Sequence, residues 1–121
     1  MVILVVVDDI HLRFAVFQSF RQDGHTVLHA GNPKSAIAIL DDFGSDVDLL
    51  VTTHQPPEID GLHLHRHLLN KIPKMSTVLL LEAGAQKEEV ESERLPFLQR
   101  PFTESALRSA AAAVFTSSAA N

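Results

Sequence analysis

The chain has 121 residues, of which 45% are hydrophobic and 21% charged, and its formal net charge is −5 at pH 7. This length and composition fit one globular domain that buries a core of its own. The ten lysines and arginines form no basic stripe, which disfavours nucleic acid and anionic membranes as partners. The absence of cysteine excludes disulfides, thiolate metal sites and thiol catalysis.

The N-terminal apolar run is too short for a signal peptide or a membrane span. Asp8 and Asp9 stop it, and it has neither a basic start nor a cleavage site of small residues. No segment reaches the roughly 20 apolar residues that cross a bilayer. Together with the lack of cysteine, these features predict a soluble, cytoplasmic protein.

In the first half of the chain, helical patterns alternate with β-branched runs. Val2 to Val7 is short, continuous and β-branched, which predicts a strand buried on both faces. Apolar residues recur every four positions at Val16 and Phe20, which predicts a helix closed by Gly24. After a second short strand, the dipeptide Asn32-Pro33 has the residue types of an N-cap and a first helical position.

The second half repeats this alternation. Pro73 lies past the end of a third helix, and Thr103 is placed to cap the last one. The fourth helix is short and acidic, with Val90 as its clear apolar anchor, and the Ala/Ser-rich tail at 115–121 is expected to fray. The predicted strands are 2–7, 25–30, 48–53, 77–82 and 96–99, and the predicted helices are 11–23, 33–43 (ended by Gly44), 61–71, 86–93 and one from 104 onward.

Five strands alternating with five helices through short loops predict an α/β fold in three layers, with a parallel five-stranded sheet between helices. Ligand sites in such sheets lie at the carboxyl ends of the strands. Those ends carry the residues Asp8, Asp9, Thr53, Glu82 and Arg100.

Three motifs in order give the whole chain a family resemblance. They are Asp8-Asp9 after the first strand, the stretch from Pro57 to Gly61 after the third, and Arg100-Pro101-Phe102 after the fifth. With this motif order, the chain resembles a response-regulator receiver domain of bacterial two-component signalling. The resemblance implies the flavodoxin-like (βα)5 fold and a cis bond before Pro101.

The same resemblance implies a functional pattern from which this chain departs. Receivers pair two acids around Mg²⁺, end the third strand in a phosphoaccepting aspartate and the fourth in Ser or Thr, and place a lysine before the proline. Here the acidic pair is kept as Asp8 and Asp9. The acceptor position is Thr53, the switch hydroxyl position is Glu82 and the lysine position is Arg100. Phe97 occupies the position of the aromatic switch residue.

These departures argue against aspartyl phosphorylation. Thr53 offers a neutral hydroxyl without a base, whereas phosphoryl capture needs a carboxylate in line with the transferred group. Asp8 and Asp9 alone are expected to hold Mg²⁺ weakly at most. The carboxylate of Glu82 repels a phosphoryl oxygen. We therefore predict a pseudo-receiver without a catalytic residue or a resident cofactor, and not an enzyme.

Arg100 has a different role available at this edge. A guanidinium can satisfy two carboxylates, so Arg100 is expected to pair with Asp8, Asp9 or Glu82. The competing interpretation is an ordinary solvent-facing arginine.

Two histidines of the predicted third helix have a spacing that can bind a metal ion. His63 and His67 have the i, i+4 spacing of a helical metal pair, but no third ligand accompanies them, which favours solvent-facing side chains. His54 follows Thr53 and is placed to hydrogen-bond near the site, without a nucleophile to activate.

The leading functional hypothesis is a phosphorylation-independent signalling module that works through protein–protein contacts. Its expected partner is another signalling protein, and a homodimer through helix 4, strand 5 and helix 5 is one option. Two alternatives stay open: a conventional phosphorelay receiver with a displaced acceptor, and a small-ligand or metal-sensing module.

Overall fold

Ten elements alternate strand and helix in residues 1–43 and 46–119, which are the part of the chain that the computed structural model describes. The alternation of short β-branched runs with amphipathic segments predicts this order, and most boundaries agree within two residues. The elements are β1 Val2–Val6, α1 Ile10–Gln22, β2 Thr26–Ala30, α2 Pro33–Phe43, β3 Leu49–Thr53, α3 Gly61–Lys71, β4 Ser76–Leu81, α4 Glu88–Ser92, β5 Phe97–Gln99 and α5 Glu104–Ala119.

The five strands form one parallel sheet in the order β2-β1-β3-β4-β5. The predicted three-layer fold with a parallel five-stranded sheet is therefore confirmed. Because all strands run in one direction, their carboxyl ends share one edge, where Thr52 lies opposite Val6 and Thr53 lies opposite Leu80. The loops that follow the strands consequently meet at that edge.

Helices cover both faces of the sheet. On one face α1 and α5 pack their buried residues Phe20 and Leu107 against β1, β3 and β4. On the other face α2 and α3 bury Ala36 and Leu68 against β1, β2 and β3. Each fully buried large apolar side chain stabilises the fold by roughly 1.5–3 kcal/mol, so this two-sided core fixes the strand ends firmly.

The fourth helix is shorter than predicted, spanning Glu88–Ser92 instead of 86–93. Val90 is its buried anchor and is fully inaccessible to solvent, as the sequence indicates. Lys87 at the N-cap makes no side-chain hydrogen bond, so the first turn has no cap to extend it. Arg94, just past the C-cap, has a φ of 59° and ends the helix there.

The last helix continues to Ala119, although the sequence predicts fraying from residue 115. Phe115 packs against the core, with its ring centre 5.6 Å from that of His25, and this contact holds the helix at the residue where fraying is expected. Residues 120–121 of that tail, and Gly44 at the predicted end of α2, lie outside the described residues. None of the described helices is long and apolar enough to cross a membrane.

Candidate functional site

Four loops bring polar residues together at the carboxyl edge of the sheet. Asp8 and Asp9 follow β1, Thr53 is the last residue of β3, and Glu82 follows β4. Arg100 follows β5, and its backbone N–H donates to Leu81 O at 2.8 Å, which extends the pairing of β5 with β4. The fold therefore places the predicted site residues at one edge, as expected from a parallel sheet.

Asp9 serves as the N-cap of α1. Its Oδ1 accepts hydrogen bonds from the backbone N–H groups of His11 at 2.9 Å and Leu12 at 3.3 Å. These bonds, first that of Leu12 and then that of His11, lower the pKa of Asp9 below its usual range. Asp8 is bound locally as well, since its Oδ1 accepts from the N–H of Asp9 at 2.9 Å. One oxygen of Asp9 is thus already committed to the helix.

Arg100 faces two carboxylates, as the sequence predicts. Its Nη1 lies 3.4 Å from Glu82 Oε1 and 4.0 Å from Asp9 Oδ2. The side chain of Arg100 is 40% exposed, and those of Glu82 and Asp9 are 44% and 45% exposed. Solvent therefore screens these pairs, which hold the loops after β1, β4 and β5 near one cation. The peptide bond between Arg100 and Pro101 is cis, the geometry that the resemblance implies.

Thr53 lies deeper in the same edge. Only 6% of the residue is exposed, and its Oγ1 is buried without a hydrogen-bond partner among the described residues. A hydroxyl becomes a nucleophile when an adjacent base removes its proton. The histidine next in sequence does not serve as that base, because its Nδ1 is engaged elsewhere.

His54 caps the N-terminus of α3. Its Nδ1 accepts from the backbone N–H of Gly61 at 3.0 Å and from that of Leu62 at 3.4 Å. Asp60 completes the cap by accepting from the N–H of His63 at 2.9 Å. The sequence places His54 near the site. Its hydrogen-bond partner, however, is the start of a helix seven residues away, and this contact depends on the path of the intervening loop.

Gly61 makes this junction possible. A Cβ at Gly61 would lie 2.6 Å from the carbonyl oxygen of Thr53 and 3.3 Å from Cβ of His54. The first residue of α3 therefore approaches the end of β3 more closely than any side chain permits.

Asp48 lies at the opposite edge of the sheet. Its Oδ2 accepts from the backbone N–H of Val2 at 2.8 Å, and its Oδ1 lies 3.6 Å from Lys74 Nζ. Asp48 therefore pins the amino ends of β1 and β3 and is remote from Thr53, which agrees with the expectation that it points away from the site.

Phe97, which the resemblance places at the aromatic switch position, is half-buried. It packs against a cluster of buried side chains that joins α3, β4 and α4, and that includes Leu62, Leu81 and Val90. The ammonium of Lys87 lies 6.0 Å from the centre of its ring. Contacts from three elements thus hold Phe97 beside the short fourth helix.

The histidines of α3 divide between its two sides. His63 is exposed as expected, whereas His67 is partly buried and its Nε2 has no partner among the described residues. His65 is buried, with Nδ1 2.8 Å from Thr77 Oγ1, and burial lowers its pKa. No group of three or more metal-ligating side chains occurs in the described ranges, so a third ligand does not join His63 and His67 there.

The carboxyl edge offers a weak donor set for the Mg²⁺ ion that the resemblance implies. Mg²⁺ favours octahedral oxygen ligands, usually one or two carboxylates completed by waters and phosphate oxygens. Asp9 gives one oxygen to α1 and turns the other toward Arg100, and Thr53 contributes a neutral hydroxyl. The guanidinium of Arg100 thus already faces the carboxylates of Asp9 and Glu82.

Comparisons with known proteins agree on the fold. No protein-family model matches the chain. The sensor kinase CckA of Brucella abortus is 27% identical over 107 residues, which cover 84% of this chain and 11% of that kinase. The chain thus spans about a tenth of the curated relative it matches.

Two solved structures illustrate the likeness. A response regulator receiver protein of Sinorhizobium medicae has a TM-score of 0.82 and 24% identity, over 98% of this chain and 96% of that one. NtrX of Brucella abortus in complex with ADP has a TM-score of 0.83 and 25% identity, over 97% of this chain and 26% of that one. The fold is that of response-regulator receiver domains.

Proposed function

We propose that this chain is a receiver module of two-component signalling that works through protein–protein contacts and without aspartyl phosphorylation. The observation that carries the proposal is Thr53, a buried neutral hydroxyl at the end of β3, where receivers present the accepting aspartate. The receiver fold and the similarity to a segment of CckA support the signalling role.

Phosphoryl transfer to a protein needs a nucleophile in line with the leaving group and cations that offset the developing charge. No base activates the hydroxyl of Thr53, because the Nδ1 of the neighbouring His54 accepts hydrogen bonds from the first backbone N–H groups of α3 instead. The carboxylate of Glu82 also lies at this edge, where it repels an incoming phosphoryl oxygen.

A displaced acceptor is disfavoured by the positions of the other aspartates near β3. Asp48 is tied to Val2 and Lys74 at the opposite edge, and Asp60 caps α3. Asp48 therefore cannot reach a phosphodonor at the carboxyl edge, and Asp60 has one carboxylate oxygen engaged by the N–H of His63.

Arg100 takes over part of the electrostatic role of the metal in this proposal. Its guanidinium offsets the charges of Glu82 and Asp9 without a divalent ion. The module therefore needs no resident cofactor and performs no catalysis, and Mg²⁺ binds weakly at most.

The proposed contact surface is formed by α4, β5 and α5, and the partner is another signalling protein or a second copy of the chain. On α4 the side chains of Glu88, Glu89 and Glu91 point into solvent while Val90 is buried. Such a surface favours a partner with basic groups that face α4.

Backbone NMR spectra with and without beryllofluoride and Mg²⁺ test this proposal, since beryllofluoride mimics a phosphoryl group on aspartate. Wild-type amide resonances of α4 and β5 should stay unshifted, because no carboxylate ends β3. The matched control combines Thr53→Asp, Glu82→Thr and Arg100→Lys, and its resonances should shift. Shifts in the wild type that saturate with beryllofluoride would contradict the proposal.

A further inference from the structure

A cleft between α1 and the end of β2 lies outside the site described above. Its volume is about 160 Å³, and it is lined by Ile10, Arg13, Phe14 and Phe17 of α1 and by His29 of β2. Ile10 and Phe14 are 63% and 59% exposed, and within the described residues Met1 is the one other exposed large hydrophobic side chain. The helix that buries Val16 and Phe20 in the core therefore presents a second apolar side to solvent.

Aromatic rings form one wall of this cleft. The rings of Phe14 and Phe17 stack with their centres 6.4 Å apart, and the ring of His29 meets that of Phe17 edge-on at 5.1 Å. The guanidinium of Arg21 lies 5.8 Å from the centre of the Phe17 ring. Because more than half of Phe14 is exposed, a further flat ring can pack against this wall.

Arg13 supplies a positive charge to the cleft. Its Nη1 donates to the carbonyl oxygen of Val7 at 3.0 Å, which holds the guanidinium beside the end of β1. Gly31 leaves room for this group, since a Cβ at Gly31 would lie 2.6 Å from Nη1. A guanidinium has five N–H donors, so the bond to Val7 leaves others free to bind a ligand.

No carboxylate neutralises Arg13 within the described residues. Asp9 is its i, i+4 neighbour, the spacing at which helical ion pairs form. However, Oδ1 of Asp9 caps α1 and Oδ2 faces Arg100. The ion pairs of the described ranges all involve other cations. The cleft thus combines an aromatic wall with a half-buried guanidinium that has no acidic partner there.

We propose that this cleft binds a small aromatic carboxylate, with its ring against Phe14 and Phe17 and its carboxylate on Arg13. An apolar cavity of about 150 Å³ holds one benzene molecule, so the volume suits a single ring. A guanidinium and a carboxylate form a charge-assisted pair, which selects an anion among aromatic ligands. The site needs neither a phosphoryl group nor the surface of α4, β5 and α5, so it stands apart from the proposed signalling function.

The extent of the cleft favours a small molecule over a protein. A stable protein interface involves about 20–30 residues on each side. Here the exposed large hydrophobic side chains are those of Ile10 and Phe14, and the surrounding surface of α1 carries the exposed polar residues His11, Gln18 and Gln22. The carboxyl ends of parallel strands, beside which Arg13 is held, are also where α/β proteins bind small ligands.

NMR titration of the full chain with sodium phenylacetate tests the site, since this probe has one ring and one carboxylate. Backbone amide resonances of Arg13, Phe14, Phe17 and Gly31 should shift and saturate, with half-saturation at about 0.1–1 mM, as expected for a ligand of this size. Phenylacetamide has the same shape without the charge and should bind about tenfold more weakly. Equal affinities for the two probes, or no saturation by phenylacetate up to about 10 mM, would overturn the proposal.

The variant Arg13→Gln keeps a donor for the carbonyl of Val7 and removes the charge. Its affinity for phenylacetate should fall about tenfold, to that for phenylacetamide, while its affinity for phenylacetamide stays unchanged. Phe14→Ser should weaken the binding of both probes. Arg108→Gln, at an exposed arginine of α5, is the matched control and should bind as the wild type does.

Three further outcomes are decisive. Unchanged binding of phenylacetate by Arg13→Gln would contradict the proposal. Shifts of the same resonances on dilution of the protein alone would show that a second copy of the chain occupies the cleft, and would contradict it as well. If Arg13→Gln does not fold, a preference of the wild type for phenylacetate over phenylacetamide supports the proposal and its absence refutes it.

Discussion

Two regions at the carboxyl edge of the sheet are built in opposite ways. The junction of β3 with α3 is buried and closely packed, with Gly61 against Thr53 and the ring of His54 capping the helix. The cluster of Asp9, Glu82 and Arg100 is 40–45% exposed, with charged atoms 3.4–4.0 Å apart. The two regions lie on adjacent loops of one edge but differ in burial and in the range of their contacts.

Because of this difference, substitutions in the two regions are expected to have different consequences. Close contacts in the buried junction have no room for change, so substitutions there are expected to act on folding. Charges in the exposed cluster are screened, so substitutions there are expected to change which ions the edge accepts and to affect folding little.

Gly61→Ala should be the most destabilising of these changes. Its Cβ would lie 2.6 Å from the backbone oxygen of Thr53, and neither the strand nor the helix moves without losing its hydrogen bonds. We expect a loss of about 2–3 kcal/mol in the free energy of unfolding, as for overpacking of a core. Urea denaturation measures the loss.

Gly31→Ala is the control for that substitution. Its Cβ would also come within 2.6 Å of an atom, but that atom is Nη1 of Arg13, at the end of a flexible side chain. A loss for Gly31→Ala equal to that of Gly61→Ala would show that the β3–α3 junction is not specially constrained.

The pH dependence of stability should report the buried histidine of α3. Burial, the largest cause, lowers the pKa of His65 from its usual value of 6.5, while Glu93 opposes the shift and Arg66 adds to it. The unfolded chain therefore takes up the proton first, so stability is full above pH 6.5 and falls as pH drops from there toward the lower folded pKa.

His65→Asn keeps a hydrogen-bonding group toward Thr77 but does not titrate, so its stability should fall less steeply over the same pH range. His63→Asn, exposed on the same helix, should follow the wild type. Denaturant melts at a series of pH values measure both. Equal slopes for His65→Asn and the wild type would mean that His65 is not the group responsible.

Arg100→Ala should have the smallest effect on folding. Its pairs are exposed by more than a third, so we expect a loss of only about 0.5–1 kcal/mol at neutral pH. The loss should shrink in acid, where the carboxylates are protonated, and also in high salt. Arg100→Lys keeps the charge and should lose less. A loss for Arg100→Ala as large as that for Gly61→Ala would erase the contrast between the two regions.

The sequence predicts the fold, and which residues lie at the site, because both follow from the alternation of strand and helix patterns along the chain. Once the five apolar runs form parallel strands, the residues that follow them, such as Asp9 and Arg100, must share an edge. The pairing of Arg100 with Glu82 follows from charge at that edge.

The role of His54 is not predictable in the same way. Its hydrogen bonds reach Gly61 and Leu62 across a loop whose path depends on the pairing of Gln55 with Ile59. The shorter span of α4 is missed for another reason. The residue at which a helix ends depends on capping interactions and helix propensities, which contribute about 1 kcal/mol or less per residue. Hydrophobic periodicity does not reveal these small contributions.

The central claim is that the carboxyl edge no longer accepts a phosphoryl group, and intact-mass spectrometry after incubation with acetyl phosphate and Mg²⁺ tests it most directly. We expect an unchanged mass for the wild type, and a gain of one phosphoryl group for the combined variant Thr53→Asp, Glu82→Thr and Arg100→Lys. A wild-type protein that gains one phosphoryl group, and loses that gain in Asp8→Ala, would contradict the account.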